Sequence, residues 1–332
     1  MWSYDRHTQH EMELAQKMNL PSCYYRPNSV DAWRHRRMLE SVLPIVKVLP
    51  QAKWLTVGDG GFGSDAFFLE GLGVDVTATS ISTHTLEVAH ARGFIQKYAA
   101  ENAEAFSLAD DFVDFVLCKE SFHHFPRPML AFYEMLRIAR KAIVLIEPVE
   151  GPTRPLAALK AFVKRLLRHD LSDQFEPSGN FIYRVSVRET FKTLTALGFP
   201  CLAWKGINDF WYPPFAAADA RGFSVGAVGT RLGVAVQNLL VQTKLLNHGL
   251  AALICFKDPP AAALISSLRE AGFAIVDLPR NPYRHAAADA PSLVDRGISS
   301  SAAPAGVRLL TTDSLAKTGS QMLLDESLEN EC

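Results

Sequence analysis

The chain has 332 residues, 48% hydrophobic and 21% charged, with a formal net charge of −1. That suits one large domain or two smaller ones with an ordinary core, and it lacks the positive excess that pairing with nucleic-acid phosphates requires. The five cysteines (Cys23, Cys118, Cys201, Cys255, Cys332) are odd in number and contain no CxxC, which fits thiols in a reducing cytosol better than disulfides or a zinc cage. The opening MWSYDRHTQHEMEL lacks the apolar core of a signal peptide. No uncharged apolar stretch reaches the roughly 18 residues of a membrane span, so the expected location is cytoplasmic.

Residues 1–50 read as an N-terminal helical cap, with Ser29–Leu43 predicted helical and ending before Pro44. From 51 to 150 the pattern is strand, turn, helix, repeated. Strands are predicted at Trp54–Val57, Val74–Thr79, Phe94–Tyr98, Val113–Cys118 and Ala142–Ile146, and helices at Ser64–Leu72, Thr83–Arg92 and Pro128–Ala139. Short apolar strands alternating with helices predict a mostly parallel sheet covered on both faces, a three-layer α/β fold. Residues 151–284 continue it. A basic amphipathic helix is expected at Pro155–His169 and a helix at Ser186–Leu197, with Ser186 and Glu189 at capping-box spacing and Gly198 as a stop. Strands are expected at Pro200–Gly206, Leu250–Phe256 and Phe273–Leu278, and helices near Leu232–Leu246 and at Pro260–Ala271. Asn208–Gly249 is an insertion. The Ala-, Ser- and Pro-rich residues 285–332 are expected to be a disordered tail.

The segment WLTVGDGGFGSDAFFLEGLG is a strand, a glycine-rich turn and a helix, and Gly58, Gly60 and Gly63 spell GxGxxG. Such glycines permit tight turning and close backbone approach to a ligand, and nicotinamide and flavin enzymes use the same pattern. A dinucleotide sets its pyrophosphate against the helix N-terminus, where the carboxylates of Asp59 and Asp65 would oppose it. A cofactor carrying a sulfonium and an ammonium but no phosphate suits an acidic turn better. The acid that a dinucleotide expects about 20 residues on is replaced by Thr79, Ser80 and Ile81.

The segments VGDGGFGSDA, VTATSIS, ENAEAFSLADDFVDFVLCKESFHHF and AIVLIEP resemble the class I, Rossmann-like methyltransferases that use S-adenosyl-L-methionine (SAM). The likeness is close over Leu55–Val149 and looser to about Pro282. GDGGFGSDA, GNFIYRVSVRETF and KGINDFWY also resemble bacterial members associated with surface-polysaccharide genes. The resemblance implies SAM as cofactor. Gly58, Asp59, Gly60, Gly61 and Gly63 would face its methionine part, Ser80 and Ile81 its ribose, and Asn102 and Ala103, with Glu104 beside them, its adenine. Lys119 and Glu120 would line the methyl-transfer side. Ser80 stands where the family usually has an acid, and Asn102 where Asp is more usual.

Further candidates carry two readings each. His123 and His124 follow the fourth strand at the ligand-binding edge of the sheet, where a neutral imidazole could take an acceptor's proton or simply pack. Arg37, in the cluster Trp33–Arg37, could reach the SAM carboxylate or lie on a solvated face. Glu147 could face the acceptor or form a structural cap. The basic segment 156–169 could touch a membrane surface or pack on the core. The aromatics Trp204, Phe210, Trp211, Tyr212 and Phe215 could line a sugar pocket or plug the core. No close His/Asp/Glu set implies a metal.

The expected function is methyl transfer from SAM to a small-molecule or glycan-like acceptor, with oxygen as the expected acceptor atom and an insertion covering the acceptor pocket. The alternatives are an NAD(P)-dependent oxidoreductase using the GxGxxG turn, and a non-catalytic SAM-fold binding protein.

Overall fold

The computed structural model describes residues 2–18, 20–156, 158, 163, 175 and 181–283. By contact, the chain divides into Met1–Arg280 and Asn281–Cys332, and the fold below belongs to the first unit. The expected tail, 285–332, and nearly all of the basic segment 156–169 lie outside the described residues.

The sheet has nine strands among the described residues: β1 Lys53–Val57, β2 Asp75–Ser80, β3 Tyr98–Ala100, β4 Val113–Lys119, β5 Ala139–Glu150, β6 Val185–Ser186, β7 Cys201–Ile207, β8 Leu250–Phe256 and β9 Ala274–Asp277. Their order is β3-β2-β1-β4-β5-β8-β7-β9, with β6 paired to β5 beyond that path. The pairs from β3 through β5 are parallel, while β8 runs antiparallel to both β5 and β7. The expected mostly parallel α/β architecture is therefore present.

Both faces are apolar, as a sheet between two helical layers requires. Alternate residues of one strand feed separate cores. Phe115 and Leu117 of β4 join one side with Trp54, Val144 and Ile254, whereas Val116 and Cys118 join the other with Leu55, Leu145 and Leu253. The first core is closed by α4 (Leu43–Val48), α5 (Ser64–Glu70), α6 (His84–Ala91) and α10 (Ala262–Glu270), the second by α7 (Pro128–Ile138) and α8 (Val187–Leu197). Ser186 caps α8 by accepting the Glu189 N–H, and Gly198 ends it at φ 74°, as the sequence predicts.

Several boundaries differ from expectation, β5 for instance running Ala139–Glu150 rather than Ala142–Ile146, and three of them have a clear physical reason. The helix from Ser29 stops at Leu39, and Pro44 sits in the first turn of α4, where its missing N–H costs no hydrogen bond. Phe94 and Ile95 are not strand: Phe94 stacks on Tyr24 at 4.0 Å and Ile95 is buried against Gly63, so β3 starts only at Tyr98. The helix of the insertion, α9 (Val225–Gln242), starts seven residues early because Ser224 caps it on Ala227.

Before the sheet come α1 (Trp2–Lys17), α2 (Ser22–Tyr25) and α3 (Val30–Leu39). The insertion clasps α3. The Arg34 guanidinium forms a buried ion pair with Asp209 and lies 4.3 Å from the centre of the Trp211 ring, while the Val30 N–H donates to the Ala218 carbonyl. Phe215 and Phe210 pack on Gly229 and Gly233 of α9, where a Cβ would come within 2.7 and 2.5 Å of the rings. Among the described residues, no helix is long and apolar enough to cross a membrane.

Candidate functional site

The glycine turn leaves the C-terminal end of β1. Gly58 and Gly63 both have φ 69°, a conformation that only glycine adopts without strain. The Asp59 carboxylate does not point into open space. It accepts the N–H groups of Asp65 (3.2 Å) and Ala66 (2.9 Å) and the Thr56 hydroxyl (2.9 Å). The chain thus satisfies two of the orphan donors of the α5 N-terminus with its own side chain. Burial, and then the neighbouring Asp65, push the Asp59 pKa up to about 7.

A cavity of about 1000 Å³ opens above this turn, between it and α1–α3. Gly58–Gly61, Asp65, Lys119, Glu120 and His124 line it from the sheet side, with Glu11, Cys23 and His35 opposite. Lys119, buried at the end of β4, pairs with Asp65 at 3.2 Å and Glu120 at 3.6 Å. Burial opposes its charge, but Asp65 and Glu120 outweigh that and hold its pKa above the usual lysine value. Burial would raise Glu120, yet Lys119 and His35 pull it below its ordinary value. Burial and Lys119 lower the His35 pKa below the usual imidazole value. Glu120 itself sits at φ 49°, the kind of strained backbone that clusters at ligand sites.

A second cavity of about 100 Å³ lies beside the first, lined by Ser80, Ile81, Asn102, Ala103, Glu104 and Phe125 among others. Its outer rim is a clasp in which the Glu104 carboxylate accepts the Tyr4 hydroxyl at 2.5 Å and the Arg127 Nε at 2.6 Å. His7, Glu11, Gly58, Ser121 and His124 border both cavities.

Most of the residues expected to hold the cofactor or to act as a base therefore border these two spaces, but Gly63, Arg37 and His123 line neither. Gly63 faces Ile95 and Leu86, so its role is to let α5 pack. Arg37 is turned toward the insertion, where it donates to the Asn208 carbonyl at 3.3 Å and lies 4.8 Å from the centre of the Trp33 ring. His123 points its Nδ1 at the fully buried Glu147, 2.7 Å away. Glu147 also accepts the Ser121 and Phe122 N–H groups at 2.9 Å, so it is the structural cap of its two readings. Trp204 and the aromatics at 210–215 also stay outside both cavities.

Sequence reading missed Tyr4, His7, Glu11 and Leu14. Their spacing, three, four and three residues apart, puts them on one face of α1, and that face covers the cavities. Because it mixes polar and apolar residues, no hydrophobic stripe marks it.

Residues 55–146 match the family model described as a methyltransferase domain. The cofactor of this domain is S-adenosyl-L-methionine. Solved structures similar to the chain include three SAM-dependent methyltransferases. The one from Archaeoglobus fulgidus is 15% identical, with 68% of this chain and 94% of that one covered and a TM-score of 0.44. The one from Thermotoga maritima is 16% identical, with 78% and 100% covered and a TM-score of 0.43. The one from Methanosarcina mazei is 17% identical, with 65% and 98% covered and a TM-score of 0.43. No curated protein matches the chain.

Proposed function

We propose that the chain transfers a methyl group from SAM to a hydroxyl of a small or glycan-like acceptor, with residues 1–50 as a cap over the cofactor. The observation that carries this reading is the use of Asp59 as the cap of α5. A diphosphate cofactor needs those N–H groups, and here they face a carboxylate of their own chain. The surroundings favour a zwitterionic amino-acid moiety instead. Asp65 Oδ1 is buried at the cavity wall, 3.2 Å from the Lys119 ammonium. Together with Glu120 it would hold the ammonium of SAM, and Lys119 its carboxylate. Ile81, Asn102 and Ala103 would hold the adenine, and the backbone of Gly58, Gly60 and Gly61 would lie along the molecule.

SAM supplies a methyl group on a cationic sulfur, a good leaving group, so the protein's task is mainly to align the two reactants. His124 borders both cavities and would take the proton of the acceptor hydroxyl. The large cavity is at the upper end of the roughly 300–1,000 Å³ of ordinary ligand pockets, which leaves space for a small acceptor beside the cofactor. The glycan-like acceptor rests on the segments GDGGFGSDA, GNFIYRVSVRETF and KGINDFWY, which resemble proteins associated with surface-polysaccharide genes.

Titration calorimetry with S-adenosylhomocysteine (SAH), NAD and NADP tests the cofactor reading. Saturable binding of SAH alone is expected, and binding of a dinucleotide without SAH would overturn it.

A further inference from the structure

Glu11 is the one carboxylate among the described residues that borders both cavities. Its side chain comes down from α1 onto the end of β2. There Oε1 accepts the Ser80 hydroxyl and Oε2 the Ser82 hydroxyl, each at 2.5 Å. The residue is only 7% exposed. A Cβ on Gly60 would stand 2.4 Å from Oε1, so it is the glycine that lets the carboxylate descend this far. The helix that delivers it is tied down further along by the Tyr4–Glu104 hydrogen bond, with Leu14 packed against the core.

We propose that Glu11, carried by the N-terminal helix, is the group that recognises the two ribose hydroxyls of SAM. The proposal rests on the methyl-donor reading above. SAM is a linear molecule with adenine at one end, the amino acid at the other and ribose between. With adenine beside Asn102 and the amino acid beside Lys119, the molecule passes Glu11 at the junction of the two cavities. The ribose is the part that lies there, and it offers two vicinal hydroxyl donors. An ionised carboxylate has about four acceptor positions. Two are used by Ser80 and Ser82, which hold its plane fixed, and the others remain for the diol. β2 itself ends in neutral hydroxyls, so the charge that strengthens these hydrogen bonds comes from a different element. On this account α1 is a wall of the cofactor site, and removing it would cost affinity as well as cover.

The test is calorimetry on the full chain with SAH and with its 2′,3′-dideoxy analogue, comparing wild type, Glu11→Gln and Glu11→Ala. Wild type should prefer SAH by at least tenfold. Glu11→Ala should weaken SAH at least tenfold, leave the dideoxy analogue within twofold and so abolish the preference, with Glu11→Gln in between. Equal losses for both ligands would mean that Glu11 only holds the fold, and unchanged or tighter SAH binding would mean that it merely obstructs the path. Either result overturns the proposal while leaving the methyl-donor reading intact. Failure of wild type to bind SAH would remove that reading, and this inference with it.

Discussion

Ser121 Oγ donates to the Gly58 carbonyl oxygen at 2.8 Å, and its Cβ lies 2.6 Å from where a Cβ on Gly58 would be. The first turn of the cofactor loop and the end of β4 are thus locked at a distance that only glycine permits. Gly58→Ala meets two penalties: the contact, and a left-handed backbone at φ 69° that costs a non-glycine residue about 1–2 kcal/mol. The variant should unfold at lower denaturant than wild type. Adding Ser121→Gly should restore part of the loss but not the backbone share. Full restoration in urea titrations would show that the conformation at Gly58 costs nothing.

Asp59 gives the stability of the chain a definite pH dependence. Its folded pKa, near 7, lies above the ordinary value of 3.8. The folded state therefore holds the proton more tightly than the unfolded one. This favours folding fully below about pH 4 and is lost progressively as pH rises to 7, so the ionised carboxylate is a burden at pH 8. Asp59→Asn keeps one acceptor for the α5 cap and removes the charge. Relative to wild type, its urea midpoint should therefore be higher at pH 8 than at pH 5. The reverse order would mean that Asp59 is ionised without penalty.

The adjacent histidines should behave differently. His123→Ala strips a side-chain donor from the buried Glu147 and should cost about 1–3 kcal/mol, leaving the two backbone donors in place. His124→Ala alters a cavity wall and should change stability by less than about 1 kcal/mol. Chemical denaturation of both variants decides this, and a larger loss for His124 would assign the structural role to the wrong ring.

Arg34 and Asp209 are a buried pair whose side chains are 7% and 11% exposed. Arg34→Met removes the ion-pair partner of the buried Asp209 carboxylate and should cost about 3–5 kcal/mol. The double variant Arg34→Met, Asp209→Leu should cost clearly less than the sum of the single changes. Additive losses in a double-mutant cycle would show that the clasp between α3 and the insertion does not depend on this ion pair.

The sheet was legible because short continuous apolar runs such as the FVLC of β4, repeated between helical patterns, mark strands buried on both faces, and the glycine turn because its spacing lies between a strand and a helix. What sequence could not show is where a charge goes once the chain is folded. Asp59 and Asp65 look alike in GDGGFGSDA, yet one turns back on its own helix and the other pairs with Lys119, 54 positions away. His123 and His124 are likewise indistinguishable until the backbone after β4 turns one toward Glu147 and the other toward the cavities. Glu11 was invisible for a plainer reason: the partner that gives it meaning, Ser80, is 69 residues distant.

β8 lies between β5 and β7, hydrogen-bonded to both and buried along its whole length. Its slot is filled by a segment made some forty residues after β7. During synthesis the ribosome therefore releases the nucleotide-type half of the sheet and β7 well before the wedge that joins them. Until Leu250–Phe256 emerge, two apolar strand edges stand open, a template for pairing with other chains. Any fragment designed to isolate the methyltransferase segment 55–146 would inherit the β5 edge permanently, and aggregation rather than a small soluble enzyme is the outcome to plan for.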